Sequence, residues 1–348
     1  MNQSISQKER IISLDIIRGL ALLGILLINV GAYKIIIEGQ AQPDYSGING
    51  VISTLIAIIV EKKFFSIFSF LFGAGLYIFA SRAETRGDNP KKRMVRRLLT
   101  LLLLGIIHFF IFWGTILPVY AIVGVFLIPF YRTKVGTIKK WLIGMTTIHL
   151  VSLILKNFMP FPKPFLPVLN FFSNDLVLIF IMFLAGFLTA KTGWLTQIQE
   201  LSKKIRWIQT GTFLLFISFS LWIWNASQGG DNDVDILIAL GTIPTTLFYL
   251  STLFLLLENK YVLKLLNPIS SVGQMAFTNY IAQSIIGTLI ISLIGLDVVS
   301  PKDIIYITIL IYVIQIIYSV IWFKFFPMGP LEKVWRFMVY GKKKEIKQ

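Results

Sequence analysis

The sequence from Ser13 to Asn29 reads SLDIIRGLALLGILLIN. The apolar run within and after it extends from Ile16 to Ala32 and contains Arg18 and Asn29 as its polar interruptions. About 20 apolar residues are enough for a helix to cross a hydrocarbon layer roughly 30 Å thick. The run is too long for the core of a signal peptide, and no small-residue cleavage site follows it. We therefore interpret it as a retained membrane span.

The composition of the whole chain agrees with this interpretation. Of its 348 residues, 55% are hydrophobic and 14% are charged, whereas soluble domains carry about a quarter charged residues. Because lipid offers the backbone no hydrogen-bond partners, the successive apolar runs predict helices. We predict an all-α, polytopic transmembrane helical bundle that forms a single domain over 1–348. Ten spans are predicted, at approximately 13–33, 63–82, 98–114, 116–131, 141–158, 175–190, 207–224, 236–257, 270–294 and 304–325.

The positions of the basic residues predict the orientation of the bundle. With the N-terminus inside, six of the 33 lysines and arginines fall in outer segments and the other 27 in cytoplasmic ones. The positive-inside rule then predicts that both termini are cytoplasmic. Residues 327–348 form a basic cytoplasmic tail in this topology. The apolar segment 47–62 is short and lies outside, which predicts a re-entrant or interfacial helix.

Several functional classes have no support in the sequence. The chain lacks cysteine, which excludes structural disulfides, thiolate metal sites and a cysteine nucleophile. The formal charge of +16 is explained by topology, because the basic residues lie between apolar runs and not on a module that could read nucleic acid. The phosphate-binding, dinucleotide-binding, zinc-protease and serine-hydrolase motifs of soluble enzymes are missing. No metal site is predicted.

The first polar cluster lies in the first predicted span and consists of Asp15, Arg18 and Asn29. Arg18 and Asn29 are 11 residues apart, so they lie within about 20° of each other on a helix, and Asp15 precedes Arg18 by three residues. Ionisable groups at membrane depth are functional candidates because they are costly there. Two interpretations remain open. Asp15 can pair with Arg18 while Asn29 bonds a neighbouring helix, or the polar face can line a cavity.

The second cluster is basic and lies at the cytoplasmic start of the third predicted span. Arg93, Arg96 and Arg97 follow two lysines, and His108 follows Arg97 by 11 residues on the same helix face. His108 would lie about 16 Å further along the helix, where a charged imidazolium is unfavourable and a neutral one can exchange protons. The alternative for the basic cluster is a topology signal that contacts anionic lipid.

The third cluster lies in the ninth predicted span, where Asn279 and Gln283 are one helical turn apart. Neutral amides in membrane helices commonly bond across helix interfaces. These two side chains therefore have two interpretations, as interhelical packing contacts or as part of a substrate cavity.

Five stretches of the chain carry a resemblance to a known family. They are SLDIIRGLALLGILLIN (13–29), KFFSIFSFLFGAGL (63–76), RRLLTLLLLGIIHFFIFWGTILPVYAIVGVFLIPFY (96–131), VGQMAFTNYIAQS (272–284) and FFPMGPLEKVWRFMVYG (325–341). Over essentially its whole length the chain resembles the YeiB family of multi-pass proteins of the bacterial cytoplasmic membrane. That family is similar in its first helix to a wider transmembrane acyltransferase superfamily, which includes the lysosomal heparan-α-glucosaminide N-acetyltransferase and bacterial O-acyltransferases.

The resemblance implies that acyl-CoA is a cosubstrate that enters from the cytoplasm, with no covalently bound cofactor. The acyl group would pass to an envelope acceptor that reaches the same cavity from the other side. The O-acyltransferases have a histidine 11 positions after the arginine of the first helix, whereas Arg18 is followed at that spacing by Asn29, as in the glucosaminide acetyltransferases. His108 is therefore the better candidate for proton transfer. Thr115 stands where an aspartate is expected in many relatives, so no acidic partner is expected at that turn.

An acyltransferase would use these residues in distinct roles. Arg93, Arg96 and Arg97 would hold the CoA phosphates through charge-assisted hydrogen bonds. His108 would take the acceptor proton. Arg18 or Asn29 would stabilise the oxyanion that develops on the thioester carbonyl. Membrane lipid, acyl-CoA and an envelope acceptor are the partners in this hypothesis. A transporter or flippase of an anionic or lipid-linked substrate, and a non-enzymatic membrane protein, are the alternatives.

The charge asymmetry makes a prediction that reporter fusions can test. A sidedness reporter fused after Gly230 should report the outside, and one fused after Asn89 the cytoplasm, because the positive-inside rule assigns these loops to opposite faces. The opposite result at either position would contradict the orientation.

Overall fold

The protein is described by a computed structural model that covers residues 7–38, 43–159, 162–229 and 234–341. Within these ranges the chain forms α-helices and three short 3₁₀ turns, and no strand. The helices are α1 (Gln7–Glu38), α2 (Ile48–Ile59), α3 (Lys63–Thr85), α4 (Pro90–Phe109), α5 (Leu117–Val125), α6 (Val135–Phe158), α7 (Leu166–Ser173), α8 (Asp175–Lys191), α9 (Ser202–Gly229), α10 (Val234–Leu256), α11 (Lys260–Leu265), α12 (Asn267–Gln274), α13 (Ala276–Ile294), α14 (Pro301–Phe325) and α15 (Pro330–Tyr340).

The predicted all-helical architecture is confirmed, and it includes candidate membrane spans. Seven segments of the described chain are helical, long and apolar enough to cross a membrane, and each overlaps a predicted span. They are Ile12–Tyr33, Val135–Phe158, Lys163–Lys191, Ser202–Gly229, Val234–Leu256, Ala276–Ile294 and Pro301–Phe325. The other three predicted spans fall on α3, on α4 and on the region of α5. The total of ten spans and the orientation of the termini stay predictions.

The predicted span at 116–131 is not a continuous α-helix, and this prediction needs correction. α5 ends at Val125 after nine residues, a length of about 13 Å. The chain then continues in i→i+3 turns, in which the Ile128 amide donates to the Val125 carbonyl at 3.1 Å. Pro129 explains the change, because a proline has no N–H and its ring clashes with the carbonyl four residues earlier.

The predicted span at 98–114 also ends earlier than predicted. α4 stops at Phe109, and the His108 carbonyl accepts from the amides of both Ile111 and Phe112 at 2.9 and 2.8 Å. The chain reverses there, and α5 packs back against α4. A Cβ atom on Gly105 would lie 2.9 Å from Leu117, so the absence of a side chain permits this close hairpin.

The structure adds detail to three further segments. The predicted span 270–294 is broken at Met275 into α12 and α13. Residues 47–62 contain the separate helix α2, which packs against α9 and α14. Its relation to a membrane surface stays a prediction. The predicted tail 327–348 contains α15 as a packed helix, while 342–348 lie outside the described residues.

The centre of the bundle is formed by α1, α3, α8 and α12, which cross with their backbones in contact. A Cβ atom on Gly186 of α8 would lie 1.8 Å from the carbonyl oxygen of Phe70 in α3, and one on Gly73 would lie 2.0 Å from that of Phe183. Small residues allow such close approach in membrane proteins, where packing and not water exclusion drives helix association. The order of the helices around α3 therefore depends on these glycines.

We predict that Gly186→Ala destabilises the protein by roughly 1 to 3 kcal/mol or more, because the added methyl group meets backbone that cannot move aside. Gly211→Ala in α9 is the matched control, since no atom lies within 4 Å of the position of its Cβ and alanine is the better helix former. Thermal unfolding of the two variants in detergent measures the difference. Equal midpoints would contradict the packing.

Candidate functional site

A cavity of about 200 Å³ lies between α1, α3, α4, α5, α12, α13 and α15. Its two lining arginines, Arg18 of α1 and Arg97 of α4, lie in the first halves of their helices, toward the side that is predicted to be cytoplasmic. Most of its wall is apolar, with Phe68, Leu71 and Phe72 of α3 among the lining residues. The side chains with polar atoms that line it are those of Arg18, Arg97, Tyr120, Gln274, Tyr280, Glu332 and Trp335. We call it the arginine cavity.

Arg18 is held on the wall of the arginine cavity by its own helix and by α12. One guanidinium nitrogen lies 2.5 Å from the Asp15 carboxylate, and the same nitrogen is 3.4 Å from the carbonyl oxygen of Gly273. The Asp15 side chain is mostly buried. The predicted pair at the start of the first span is therefore present, and the same arginine also faces the cavity.

Arg97 lies across the arginine cavity in a mostly aromatic environment. Its guanidinium carbon is 4.8 Å from the ring centre of Phe79 and 4.9 Å from that of Trp335. One terminal nitrogen is 3.5 Å from the carbonyl oxygen of Gly75. Among the described residues, no acceptor lies within reach of the buried Nε. Arg97 thus retains hydrogen-bonding capacity that the protein does not use.

The helix α15 covers the mouth of the arginine cavity, and Glu332 fastens its first turn. One carboxylate oxygen accepts from the amides of Phe277 and Thr278 at 2.8 and 3.1 Å, and the other accepts from the Thr278 hydroxyl at 2.5 Å. These amides lie at the start of α13, where a helix has unpaired N–H groups and favours negative charge. The break at Met275 creates this helix start.

Arg93 and Arg96, which were predicted to bind CoA phosphates, hold the other end of α15. Arg93 donates to the carbonyl of Val339, and Arg96 donates to that of Met338, both at 3.0 Å. Arg93 also forms two hydrogen bonds with Asp88, at 3.0 and 3.1 Å, and these bonds lower the pKa of that carboxyl. Neither arginine lines the arginine cavity. Of the three predicted phosphate-binding residues, Arg97 is the one that does.

A row of polar side chains begins at Tyr280, on the wall of the arginine cavity. The Tyr280 hydroxyl accepts from the amide of Ile116 at 3.1 Å and lies near the side chains of Thr115 and Asn29. The Thr115 hydroxyl is 2.8 Å from Nδ1 of His108. Asn29 and His108 are therefore connected to the cavity through Tyr280, and neither of them lines it.

The hydrogen bonds around His108 determine its tautomer. Nε2 lies 2.9 Å from the hydroxyl of Ser284, and that hydroxyl donates its only proton to the carbonyl of Ile281. We therefore assign the tautomer in which Nε2–H donates to Ser284 and Nδ1 accepts from the Thr115 hydroxyl. His108 is 1% exposed, so it does not face lipid. Its basic nitrogen is directed along this row toward Tyr280.

Asn279 and Gln283 do not line the arginine cavity. Both are fully buried, and the Gln283 amide donates to Gln315 of α14 at 2.9 Å. Asn279 donates to the hydroxyl of Ser319 at 3.1 Å and accepts from Tyr318. The two amides thus join α13 to α14, and a role in a substrate cavity stays a prediction. Amide groups at this depth need such partners, because lipid offers none.

The sequence analysis did not single out Tyr280, Ser284 or Glu332. Tyr280 and Ser284 are one turn apart on the helix, and this i, i+4 spacing beside two amides was an available signal. Glu332 had no comparable signal, since its partners are amides at residues 277 and 278. Thr115 stands where an aspartate is expected in many relatives. Its hydroxyl lies between Tyr280 and His108.

The described part of the chain has no group of three or more His, Asp or Glu side chains that could hold a metal ion. The arginine cavity, with two guanidiniums, suits an anionic group and not a cation.

Comparisons with known proteins identify close relatives along the whole chain. Residues 189–342 match a family described as "Protein of unknown function (DUF418)". An uncharacterized 39.9 kDa protein encoded in the amylase 3' region of Bacillus acidopullulyticus is 33% identical, with 97% of this chain and 96% of the relative covered. The uncharacterized protein YxaH of Bacillus subtilis (strain 168) is 28% identical, with 95% and 94% covered. The uncharacterized protein YeiB of Escherichia coli (strain K12) is 26% identical, with 94% and 96% covered. No solved structure matches the chain.

We predict that Glu332→Ala releases α15 from the bundle, because the start of α13 loses three hydrogen bonds to a charged group. Hydrogen bonds to charged groups contribute about 1.5 to 3 kcal/mol each when a partner is removed. Hydrogen exchange measured by mass spectrometry should become faster in 330–340, while Lys333→Ala, an exposed neighbour, should leave the exchange unchanged. Unchanged protection of α15 in Glu332→Ala would contradict the proposed fastening.

Proposed function

We propose that this chain, which belongs to the YeiB-like family of membrane proteins of unknown function, is a membrane-embedded acyltransferase. The proposed reaction moves an acyl group, most simply acetyl, from cytoplasmic acyl-CoA to a hydroxyl or amine of an envelope molecule. Acyl-CoA is a cosubstrate in this proposal and not a bound cofactor.

The proposal is carried by the row of polar side chains from Tyr280 through Thr115 to His108. Tyr280 lines the arginine cavity, where an acceptor group could contact its hydroxyl, and Thr115 connects that hydroxyl to the basic Nδ1 of His108. A general base has to reach the proton that it removes, directly or through a short relay. His108 meets this requirement through two hydroxyl groups.

The proton would move along this row as the new bond forms. The acceptor oxygen or nitrogen attacks the thioester carbonyl and transfers its proton to the Tyr280 hydroxyl. At the same time the Tyr280 hydroxyl proton moves to Thr115, and the Thr115 hydroxyl proton moves to Nδ1 of His108. The tetrahedral intermediate then collapses with loss of the CoA thiolate. Return of the proton along the same row converts the thiolate to free CoA and restores a neutral His108, so that acyl-CoA and acceptor give acylated acceptor and CoA.

The other predicted residues take different roles in this scheme. Arg18 lines the arginine cavity and is the proposed donor to the oxyanion of the tetrahedral intermediate, a contribution that can reach a few kcal/mol in a dry site. Asp15 orients Arg18 through their ion pair. Asn29 is a positioning residue, because its side chain reaches the Tyr280 hydroxyl and not the cavity.

Transport of an anionic or lipid-linked substrate is the second candidate. The two guanidiniums on the wall of the arginine cavity favour it, since they would suit an anion that binds without reacting. His108 in this case would be a structural residue, with both ring nitrogens occupied by hydroxyl groups. Transport predicts movement of an anion across the membrane without consumption of acyl-CoA.

We predict that His108→Gln and Tyr280→Phe lose acyl transfer by about 10²-fold or more, because each breaks the path of the proton. Membrane vesicles that contain the protein are supplied with labelled acetyl-CoA, and both the release of the CoA thiol and the label in envelope material are measured. The protein has no cysteine, so it adds no thiol background of its own.

His149→Gln is the matched control, since His149 is the other histidine of the chain. Its Nδ1 bonds the carbonyl of Phe172, away from the arginine cavity. The control should keep its activity, and all variants should keep the wild-type thermal midpoint within a few degrees. Full activity of His108→Gln would remove His108 from the mechanism. Anion movement without thiol release from acetyl-CoA would favour transport.

A further inference from the structure

The wall of the arginine cavity carries two buried donors that lack acceptors. These are Nε of Arg97 and Nε1 of Trp335, and neither has a hydrogen-bond partner among the described residues. Both residues line the cavity. Buried polar groups in folded proteins are nearly always hydrogen-bonded, and an unpaired one costs about 1 to 3 kcal/mol. Two such donors in one cavity indicate that the acceptor is a ligand.

The partners of the charged groups around the cavity also indicate an anion. Asp15 offsets the charge of Arg18 at 2.5 Å. Both oxygens of Glu332 are taken by α13. In the described part of the chain no carboxylate forms an ion pair with Arg97, whose closest contacts are aromatic rings and the carbonyl of Gly75. The nearby charge of Arg18 repels Arg97. A ligand with negative charge would supply Arg97 with the partner that it lacks among the described residues.

The shape of the guanidinium and the size of the cavity narrow the class of anion. Arginine presents several N–H groups in a planar fork that matches the oxygen atoms of phosphate and carboxylate groups. A volume of about 200 Å³ is smaller than the roughly 300 to 1,000 Å³ of sites that enclose whole drug-sized ligands. The cavity therefore suits one charged group with a short apolar continuation, which Phe68, Leu71 and Leu101 would contact.

From this geometry we infer that the arginine cavity binds a phosphate group between Arg97 and Arg18. The Arg97 guanidinium and the indole N–H of Trp335 donate to the phosphate oxygens, and the charge of Arg97 offsets that of the phosphate. Phosphate is the oxyanion carried by both molecules that can reach this end of the bundle, a CoA cosubstrate and an anionic phospholipid. The assignment of CoA as one source rests on the proposed acyl transfer, whereas the phosphate site itself can be tested without turnover.

Binding is tested with purified full-length protein in nanodiscs of phosphatidylcholine. The probes are inorganic phosphate and CoA, measured by isothermal titration. CoA binding should weaken tenfold or more in Arg97→Gln and should recover partly in Arg97→Lys, which keeps the charge but loses the fork. Arg206→Gln in α9 removes the same charge at an exposed site away from the cavity and should bind as the wild type does.

A second variant covers the other wall. Asp15→Asn combined with Arg18→Gln removes an ion pair without leaving either charge alone, and it should also weaken the binding of CoA or phosphate. Variants are compared only where their thermal midpoints match that of the wild type. If one arginine variant has a folding defect, the binding measured for the other variant still tests the phosphate site.

Nanodiscs of phosphatidylglycerol distinguish the two sources of phosphate. If the anionic lipid blocks phosphate binding and copurifies with the wild type but not with Arg97→Gln, the group belongs to a lipid headgroup. If CoA binds equally well in both lipids, the group belongs to the cosubstrate. A wild type that never consumes acetyl-CoA would refute the acyl transfer. Loss of binding in the Arg97 variants would support the phosphate site even in that case. Equal binding of wild type and Arg97→Gln, or no binding of any probe by the wild type, would overturn the phosphate site whatever the activity.

Discussion

The contact between the backbones of α1 and α12 determines where the arginine cavity can form. A Cβ atom on Gly273 would lie 1.8 Å from the carbonyl oxygen of Asp15, and one on Gly19 would lie 2.5 Å from the backbone of α12. Arg18 lies between these contacts and reaches the Gly273 carbonyl. In a membrane, where lipid is as apolar as the side chains, such close packing is a main source of helix association. The same contact that joins the helices therefore directs a guanidinium into the space between them.

The opposite wall of the cavity depends on aromatic rings and on α15. Arg97 lies between the rings of Phe79 and Trp335, and the attraction between a cation and a ring face is strongest where water is excluded. Trp335 is held there because Glu332 binds the start of α13, while Arg93 binds the Val339 carbonyl. Arginines that resembled phosphate ligands in the sequence thus have different tasks. One faces the cavity, and others hold the helix that covers it.

The position of His108 combines two requirements that oppose each other. A buried imidazole needs partners for both nitrogens, and Thr115 and Ser284 supply them. A base that takes part in a reaction also needs a route to its substrate, which in the proposed reaction would lead through Thr115 and Tyr280. The arrangement would meet both requirements, because it satisfies the imidazole at rest and would still pass a proton from the arginine cavity.

The apolar runs of the sequence determined the helical membrane fold, because a long apolar helix has no other stable environment. The residue spacing also placed Asp15 beside Arg18, since neighbours on one helix depend only on its geometry. Apolar runs and residue spacing did not indicate three other features. These are the break at Met275, the early end of α5 and the partner of Glu332. Helix phase alone put Arg97 and His108 on one face, but it did not reveal that Tyr280 separates His108 from the arginine cavity. The tertiary structure decided that separation. Crossing angles and glycine contacts between segments far apart in the chain determine which side chain of another helix fills the space beside a residue.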